Sequence, residues 1–215
     1  MLSGFITFEG IEGSGKSSQI ALLSEALRAR GLAHVLTREP GGTPAGESIR
    51  GLLLDSATRL GPPAELLLYA AARAEHLERI IRPALAIGRL VLCDRYLDAT
   101  RAYQGYGRGV PLPLIDQVDR VATGGRTPDR TLLFDLAPDE ARARGHSPSR
   151  RERGAADRLD GEALAFYERV RRGFLELARS EPERFRTVDS SRVVDVTQNQ
   201  VRAELGRWLG LEVPV

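Results

Sequence analysis

The chain has 215 residues, 42 % of them hydrophobic and 28 % charged, with a formal net charge of only +2. That balance suits one α/β domain with a single large core, and the small cationic surplus gives no reason to expect a nucleic-acid partner. A lone cysteine, Cys93, rules out an intrachain disulfide framework; no apolar run approaches a membrane span and no secretory leader is evident, so a reducing cytoplasm is expected.

The apolar run Phe5–Phe8 predicts a short buried strand. Behind it, Gly10-Ile11-Glu12-Gly13-Ser14-Gly15-Lys16-Ser17, followed by Ser18, fits the phosphate-loop pattern G-x-x-x-x-G-K-[ST] at every fixed position. The segment Ser17–Arg30 then reads as a helix with Ile20, Leu23 and Leu27 on one face. Strand, glycine loop and helix start are what anion binding needs: successive N–H groups curl around the anion and the helix N-terminus adds partial positive charge. Lys16 is predicted to reach the terminal phosphates of a nucleotide, and Ser17 to offer its hydroxyl to Mg2+.

His34–Thr37 predicts a second strand, after Gly31 as a helix C-cap residue. Arg38-Glu39-Pro40-Gly41-Gly42 follows at its carboxyl end, where open α/β sheets place ligands. Arg38 could fork onto a phosphate, or the stretch could be a plain Pro-Gly turn with a surface arginine. A long helix is predicted from about Pro63 to about Ala86, with Pro83 bending its last turn. On it Tyr69 and Arg73 share a face, separated by three alanines; the pair suits a planar base, or it is an ordinary surface pair. His76, on the same helix, reads as a surface residue, and His34, His76 and His146 form no metal-ligand pattern.

Leu90–Cys93 predicts a third strand ending in Asp94-Arg95. Asp94 could hold the Mg2+ shell through water; Arg95 points to a second anion such as an acceptor phosphate, or simply pairs with Asp94. Thr131–Phe134 and Phe185–Val188 predict the fourth and fifth strands, so a mostly parallel sheet covered on both faces is expected, with no linker dividing residues 1–215. One segment breaks the alternation. Arg142–Arg158 carries Arg142, Arg144, Arg150, Arg151, Arg153 and Arg158 with almost no apolar residues. Alone it would be a solvated charged loop; beside a phosphate loop it predicts a mobile lid, about residues 142–160, that brings cations over the phosphates.

A phosphate loop by itself fits GTPases, motor ATPases and small-molecule kinases. The guanine-reading N-K-x-D motif is absent, and a motor ATPase usually needs more chain. Three readings stay open at this level: a kinase for a nucleoside monophosphate, one for a deoxynucleoside, and a non-enzymatic ATP-switched binding protein. The last needs no second phosphate site, which the Arg38 and Arg95 segments supply.

With these residues in hand, the chain resembles the thymidylate kinases of the bacterial type, a branch of the nucleoside monophosphate kinases. The markers run in order from Phe5 to about Leu209: FEGIEGSGKSS, TREPGG, YAAARAEH, CDRYLDATRAYQGYGRG, PDRTLLFDL and DRLD. The resemblance implies a P-loop NTPase fold, ATP and Mg2+ as phosphoryl donor and cofactor, dTMP as acceptor, and a homodimer packed through helices. It implies that Lys16 and Ser17 serve the ATP phosphates and Mg2+, and that Glu12 lies near acceptor phosphate and metal. Arg95 resembles the arginine that clamps the dTMP phosphate, with Arg38 nearby. Tyr69 stands where the family usually has a phenylalanine stacked on thymine, and Arg73 resembles the donor to thymine O4. Thr100 and Gln104 look like further base contacts; Tyr103 resembles the ring beneath the deoxyribose. The family's catalytic arginine sits either in the phosphate loop or in the lid. Here the loop holds Glu12-Gly13-Ser14 and no arginine, so the resemblance is to the lid-arginine type, with Arg153 and Arg158 matching best and Arg151 next. Asp189–Arg192 corresponds to the adenine loop.

Overall fold

The structure, a computed structural model, describes residues 3–145 and 162–210. Arg150, Arg151, Arg153 and Arg158, and with them most of the predicted lid, lie outside the described residues. Five strands form the sheet: β1 (Gly4–Glu9), β2 (His34–Arg38), β3 (Leu90–Asp94), β4 (Arg130–Asp135) and β5 (Phe185–Asp189). Their order is β2-β3-β1-β4-β5 and every pairing is parallel. Each strand lies within a residue or two of its predicted apolar run.

Parallel strands buried on both faces should be apolar at consecutive positions, and the three central strands β1, β3 and β4 are, while the edge strands β2 and β5 are mixed. Ile6 and Phe8 of β1, Leu90 and Leu92 of β3, and Leu132 and Phe134 of β4 point to one face, against Ile20, Leu23 and Leu27 of α1 (Lys16–Ala29) and Val201 and Leu205 near the C-terminal end. The alternate residues Phe5, Val91 and Cys93 enter a second cluster with Leu77, Ile81 and Tyr96, and Leu133 a third. The period of two along each strand thus divides one apolar run between layers on opposite sides.

Between strands lie α2 (Pro44–Leu54), α3 (Pro62–His76), α4 (Arg82–Ala86), α5 (Leu97–Thr100), α6 (Leu112–Thr123), α7 (Pro138–Gly145) and α8 (Leu164–Ser180), and α9 (Val194–Leu209) closes the described chain. The predicted long helix is helical from Pro62 to Ala86, with a π-helical stretch at Leu77–Ile81 just before the turn that holds Pro83. A second π stretch, Arg101–Gly107, continues α5 and packs closely on α8. Gly107 permits that approach: a Cβ there would lie 2.6 Å from Phe166 and 2.9 Å from Val170. A buried ion pair ties the two halves of the sheet layer: Arg184, before β5, grips Asp98 of α5 at 2.6 and 2.9 Å. The first residues of the predicted lid segment are helical. Residues 142–145 belong to α7, and Arg144 donates to the backbone of Ser190 at 2.7 Å, tying the helix to the turn after β5. Among the described residues no helix is long and apolar enough to cross a membrane.

The register sets the place of the site. Phe8 pairs with Asp94, and Asp94 pairs with Arg38, so β1, β2 and β3 end at one edge. Successive strands β3 and β4 lie on opposite sides of β1, the reversal at which open α/β sheets leave a crevice.

Candidate active site

The phosphate loop spans from the end of β1 to the start of α1. Gly15 caps the helix in the left-handed region, at φ +84°, and no side chain bonds the first N–H groups of α1. An L side chain would resist that backbone, and the uncapped N–H groups are left for an anion. Lys16 folds back over the loop, its Nζ donating to the Gly10 and Ile11 carbonyls at 3.1 Å each and to Ser14 Oγ at 3.4 Å. Burial, reinforced by Arg95, pulls its ammonium down to about 7; Asp94 and Glu9 work the other way. Phosphate oxygens at the helix start would supply the missing counter-charge. Ser17 Oγ donates to Asp94 Oδ2 at 2.7 Å, so two hard oxygen ligands sit side by side at the loop's edge.

Asp94 does not pair with Arg95. The chain turns sharply after it, and Arg95 is the non-glycine residue with a positive φ, at +72°, among the described residues. Such a backbone costs about 1–3 kcal/mol unless its surroundings hold it. Two bonds from β1 do: Arg95 N–H donates to Phe8 O at 3.0 Å, and Tyr96 N–H to Glu9 Oε1 at 2.8 Å. The turn sends the guanidinium away from Asp94. Nη1 donates to Gly10 O at 3.1 Å and Nη2 to Tyr103 Oη at 3.2 Å, with the charge 4.9 Å from the Tyr103 ring centre. One arginine therefore touches the phosphate loop and the floor of the neighbouring cleft. Glu9 is fully buried and its Oε2 has no hydrogen-bond partner among the described residues. Burial first, then Asp98, push its carboxyl up to about 8, against the opposing pull of Arg95, Tyr96 N–H and Lys16.

The cleft is open to solvent on one side, and its walls come from five places in the chain: Glu12; Glu39 and Pro40; Arg50 and Leu54 of α2; Tyr69 and Arg73 of α3; and the run from Arg95 to Gln104. Arg73 is buried and wired to four acceptors. Nε donates to Glu39 Oε2 at 2.8 Å, Nη1 to Asp119 Oδ1 at 2.5 Å, and Nη2 to Thr100 Oγ1 at 2.8 Å and Tyr96 O at 3.1 Å. Burial disfavours its charge, but the Asp119 and Glu39 carboxylates more than offset that, and the guanidinium stays firmly protonated. These bonds use four of its five N–H groups, leaving one on Nη1, and Arg73 is part of the cleft wall. Glu39 also meets His76 Nδ1 at 3.0 Å, and His76 Nε2 meets Thr37 Oγ1 at 2.6 Å. His76 is thus buried inside this network and not on the helix surface. Gln104 Nε2 donates to Glu65 Oε1 at 2.6 Å.

Of the residues singled out in the sequence, Glu12, Tyr69, Arg73, Arg95, Thr100, Tyr103 and Gln104 come together around the cleft, next to the loop Gly10–Ser18. Arg38 does not join them. It is half exposed and gives its Nη2 to both carboxylate oxygens of Glu47, at 2.8 and 2.9 Å. Its place on the cleft wall is taken by Arg50, anchored to Pro40 O at 2.9 Å and lowered in pKa by burial and then by Arg38. Sequence reasoning missed Arg50, Glu9, Glu65 and Asp119, since no short motif marks them. Glu39 lay in plain view within TREPGG, but its role depends on partners from α3. Asp189 and Arg192 pair with each other at 3.0 Å in the turn that Arg144 clamps from α7.

Comparison with known proteins is consistent across sequence and structure. A family model described as thymidylate kinase matches residues 8–201. Thymidylate kinase of Gloeobacter violaceus is 49 % identical over 210 residues, 95 % of each chain, and that of Deinococcus radiodurans 49 % over 199 residues, 93 % and 94 % of the two chains. The crystal structure of thymidylate kinase from Ehrlichia chaffeensis is similar at a TM-score of 0.76 and 38 % identity, covering 95 % of this chain and 99 % of its own.

Proposed function

The chain belongs to the thymidylate kinase family and phosphorylates dTMP to dTDP with ATP, and on that premise we propose how its residues divide the work. The loop Gly10–Ser18 and Lys16 hold the ATP phosphates. Ser17 Oγ and the Asp94 carboxylate, hard oxygens 2.7 Å apart, suit Mg2+, which keeps most of its ligands as water and phosphate and when bound neutralises charge between donor and acceptor. Arg95 and Arg50 hold the acceptor phosphate, in place of Arg95 and Arg38. Tyr69 stacks on the base, Arg73, Thr100 and Gln104 read its edge, and Tyr103 lies under the sugar. The acceptor oxygen is already anionic, so no strong general base is needed. A phosphate oxygen of dTMP attacks the γ-phosphorus, the bond to the β-phosphate oxygen breaks, and ADP leaves; catalysis is positioning and charge stabilisation.

The observation that carries this assignment is the double attachment of Arg95, to Gly10 O in the loop and to Tyr103 Oη in the cleft. Donor and acceptor anions would meet at that guanidinium. Arg153 and Arg158 supply the cation over the transferring group, a role supported by the lack of any arginine in the loop. A cytoplasmic homodimer is proposed as well, packed through α2, α3 and α6, whose Leu52, Leu67, Leu114 and Val121 are exposed. The test of the activity is ADP release from Mg-ATP measured with dTMP, UMP, CMP, AMP and GMP in turn. Preference for dTMP is expected; a stronger response to AMP or CMP, or release that ignores the acceptor, would refute the reading.

A further inference from the structure

A glutamine amide has an accepting end and a donating end, and unless something fixes it, it can serve either kind of base edge. Gln104 is fixed. It is buried, and its Nε2 donates at 2.6 Å to Oε1 of Glu65, which is itself only 1 % exposed. A carboxylate accepts and cannot donate, so the amide must turn its NH2 toward Glu65. Glu65 is held in turn by Arg108, whose Nε lies 3.7 Å from Oε2. Arg108 is pinned by Glu162 at 2.5 Å and by the Phe166 ring 4.7 Å below its charge. Among the described residues nothing donates to Gln104 Oε1, and Gln104 is part of the cleft wall beside Thr100 and Arg73. The pocket therefore presents a donor, the remaining Nη1–H of Arg73, together with an acceptor, Gln104 Oε1.

Two adjacent atoms distinguish the pyrimidines. Thymine and uracil carry an accepting 4-oxo group next to a donating N3–H; cytosine carries a donating 4-amino group next to an accepting N3. We propose that Glu65 is a specificity-determining positioning residue: by holding the Gln104 amide oxygen-first toward the cleft, it makes the pocket match a 4-oxo, N3–H pyrimidine and oppose a 4-amino one. This rests on the assignment of dTMP to the cleft. A cytosine there would set acceptor against acceptor and donor against donor, and Gln104 could not turn to relieve it without setting its amide oxygen against the Glu65 carboxylate. Mismatched buried polar groups of this kind reject a substrate far more strongly than shape alone.

The test compares kcat/KM for dTMP and dCMP in the full chain and in Glu65→Gln, Glu65→Asp, Gln104→Ala and the Glu65→Gln/Gln104→Ala double variant. Glutamine at 65 can donate or accept and frees Gln104 to turn; aspartate keeps the charge but falls short of reach, and stands in if the glutamine variant does not fold. The dTMP-to-dCMP ratio should fall about tenfold or more in the single Glu65 variants, and the double variant should be no less selective than Gln104→Ala alone. A ratio within about twofold of the parent's in a folded Glu65 variant overturns the proposal, as does a further tenfold loss added on the Gln104→Ala background. A parent chain that prefers dCMP overturns the dTMP assignment itself, and the proposal with it.

Discussion

Glu9 is the residue whose charge state the fold constrains most visibly. Its Oε1 holds the Tyr96 N–H and so the strained backbone at Arg95, while Oε2 lies buried without a partner among the described residues. Burial raises its carboxyl from 4.5 to about 8. The sign follows directly. Between those values the native state carries a proton that the unfolded state lacks, so the stabilisation is complete below the lower value and is lost as pH rises through the upper one. Glu9→Gln keeps an acceptor for Tyr96 and cannot ionise. Its Tm should match the parent's near pH 5 and exceed it at pH 8.5 by about 2–4 °C or more, the shift a change of ~1 kcal/mol gives in a chain of this size. Parallel Tm-against-pH curves for the two proteins would show that Glu9 does not titrate in this window.

At the scale of elements, what was legible in the sequence was whatever depends on neighbours a few residues away. The strands announce themselves as apolar runs, and the phosphate loop as spaced glycines before an apolar helix face, because both are set by local backbone requirements. What was not legible depends on partners far along the chain. His76 looked like a surface residue because the groups that bury it, Thr37 and Glu39, lie 39 and 37 residues earlier. Arg50 carries no motif, and it lines the cleft only because α2 packs beside α3. Arg38 follows its strand where predicted, but its guanidinium pairs with Glu47 and does not line the cleft. The helices also leave apolar side chains uncovered. α2 packs on α3 and α3 on α6, and Leu67 is 59 % and Val121 88 % exposed on them. If these faces meet in a two-fold dimer, Leu67→Asp should weaken association by about tenfold or more in sedimentation velocity without lowering the monomer's helicity. A parent chain that sediments as a monomer at tens of micromolar would contradict the dimer.

At the scale of the whole molecule, the strand order brings together the ends of β1 and β3, and the phosphate loop and Arg95 are hung from those ends. β1 delivers the phosphate loop and Glu9; β3 delivers Asp94 and Arg95; α3 and the Arg101–Gly107 stretch form walls of the cleft beside them. Arg95 is the joint, touching both the loop and the cleft. The most direct measurement is therefore dTMP saturation and Mg-ATP affinity compared between the parent chain and Arg95→Ala. The account predicts that kcat/KM for dTMP falls by about 10²–10³, as when one preorganised donor to developing charge is removed, while Mg-ATP affinity stays within about threefold. A dTMP response within about threefold of the parent's, or equal losses for dTMP and Mg-ATP, would contradict it.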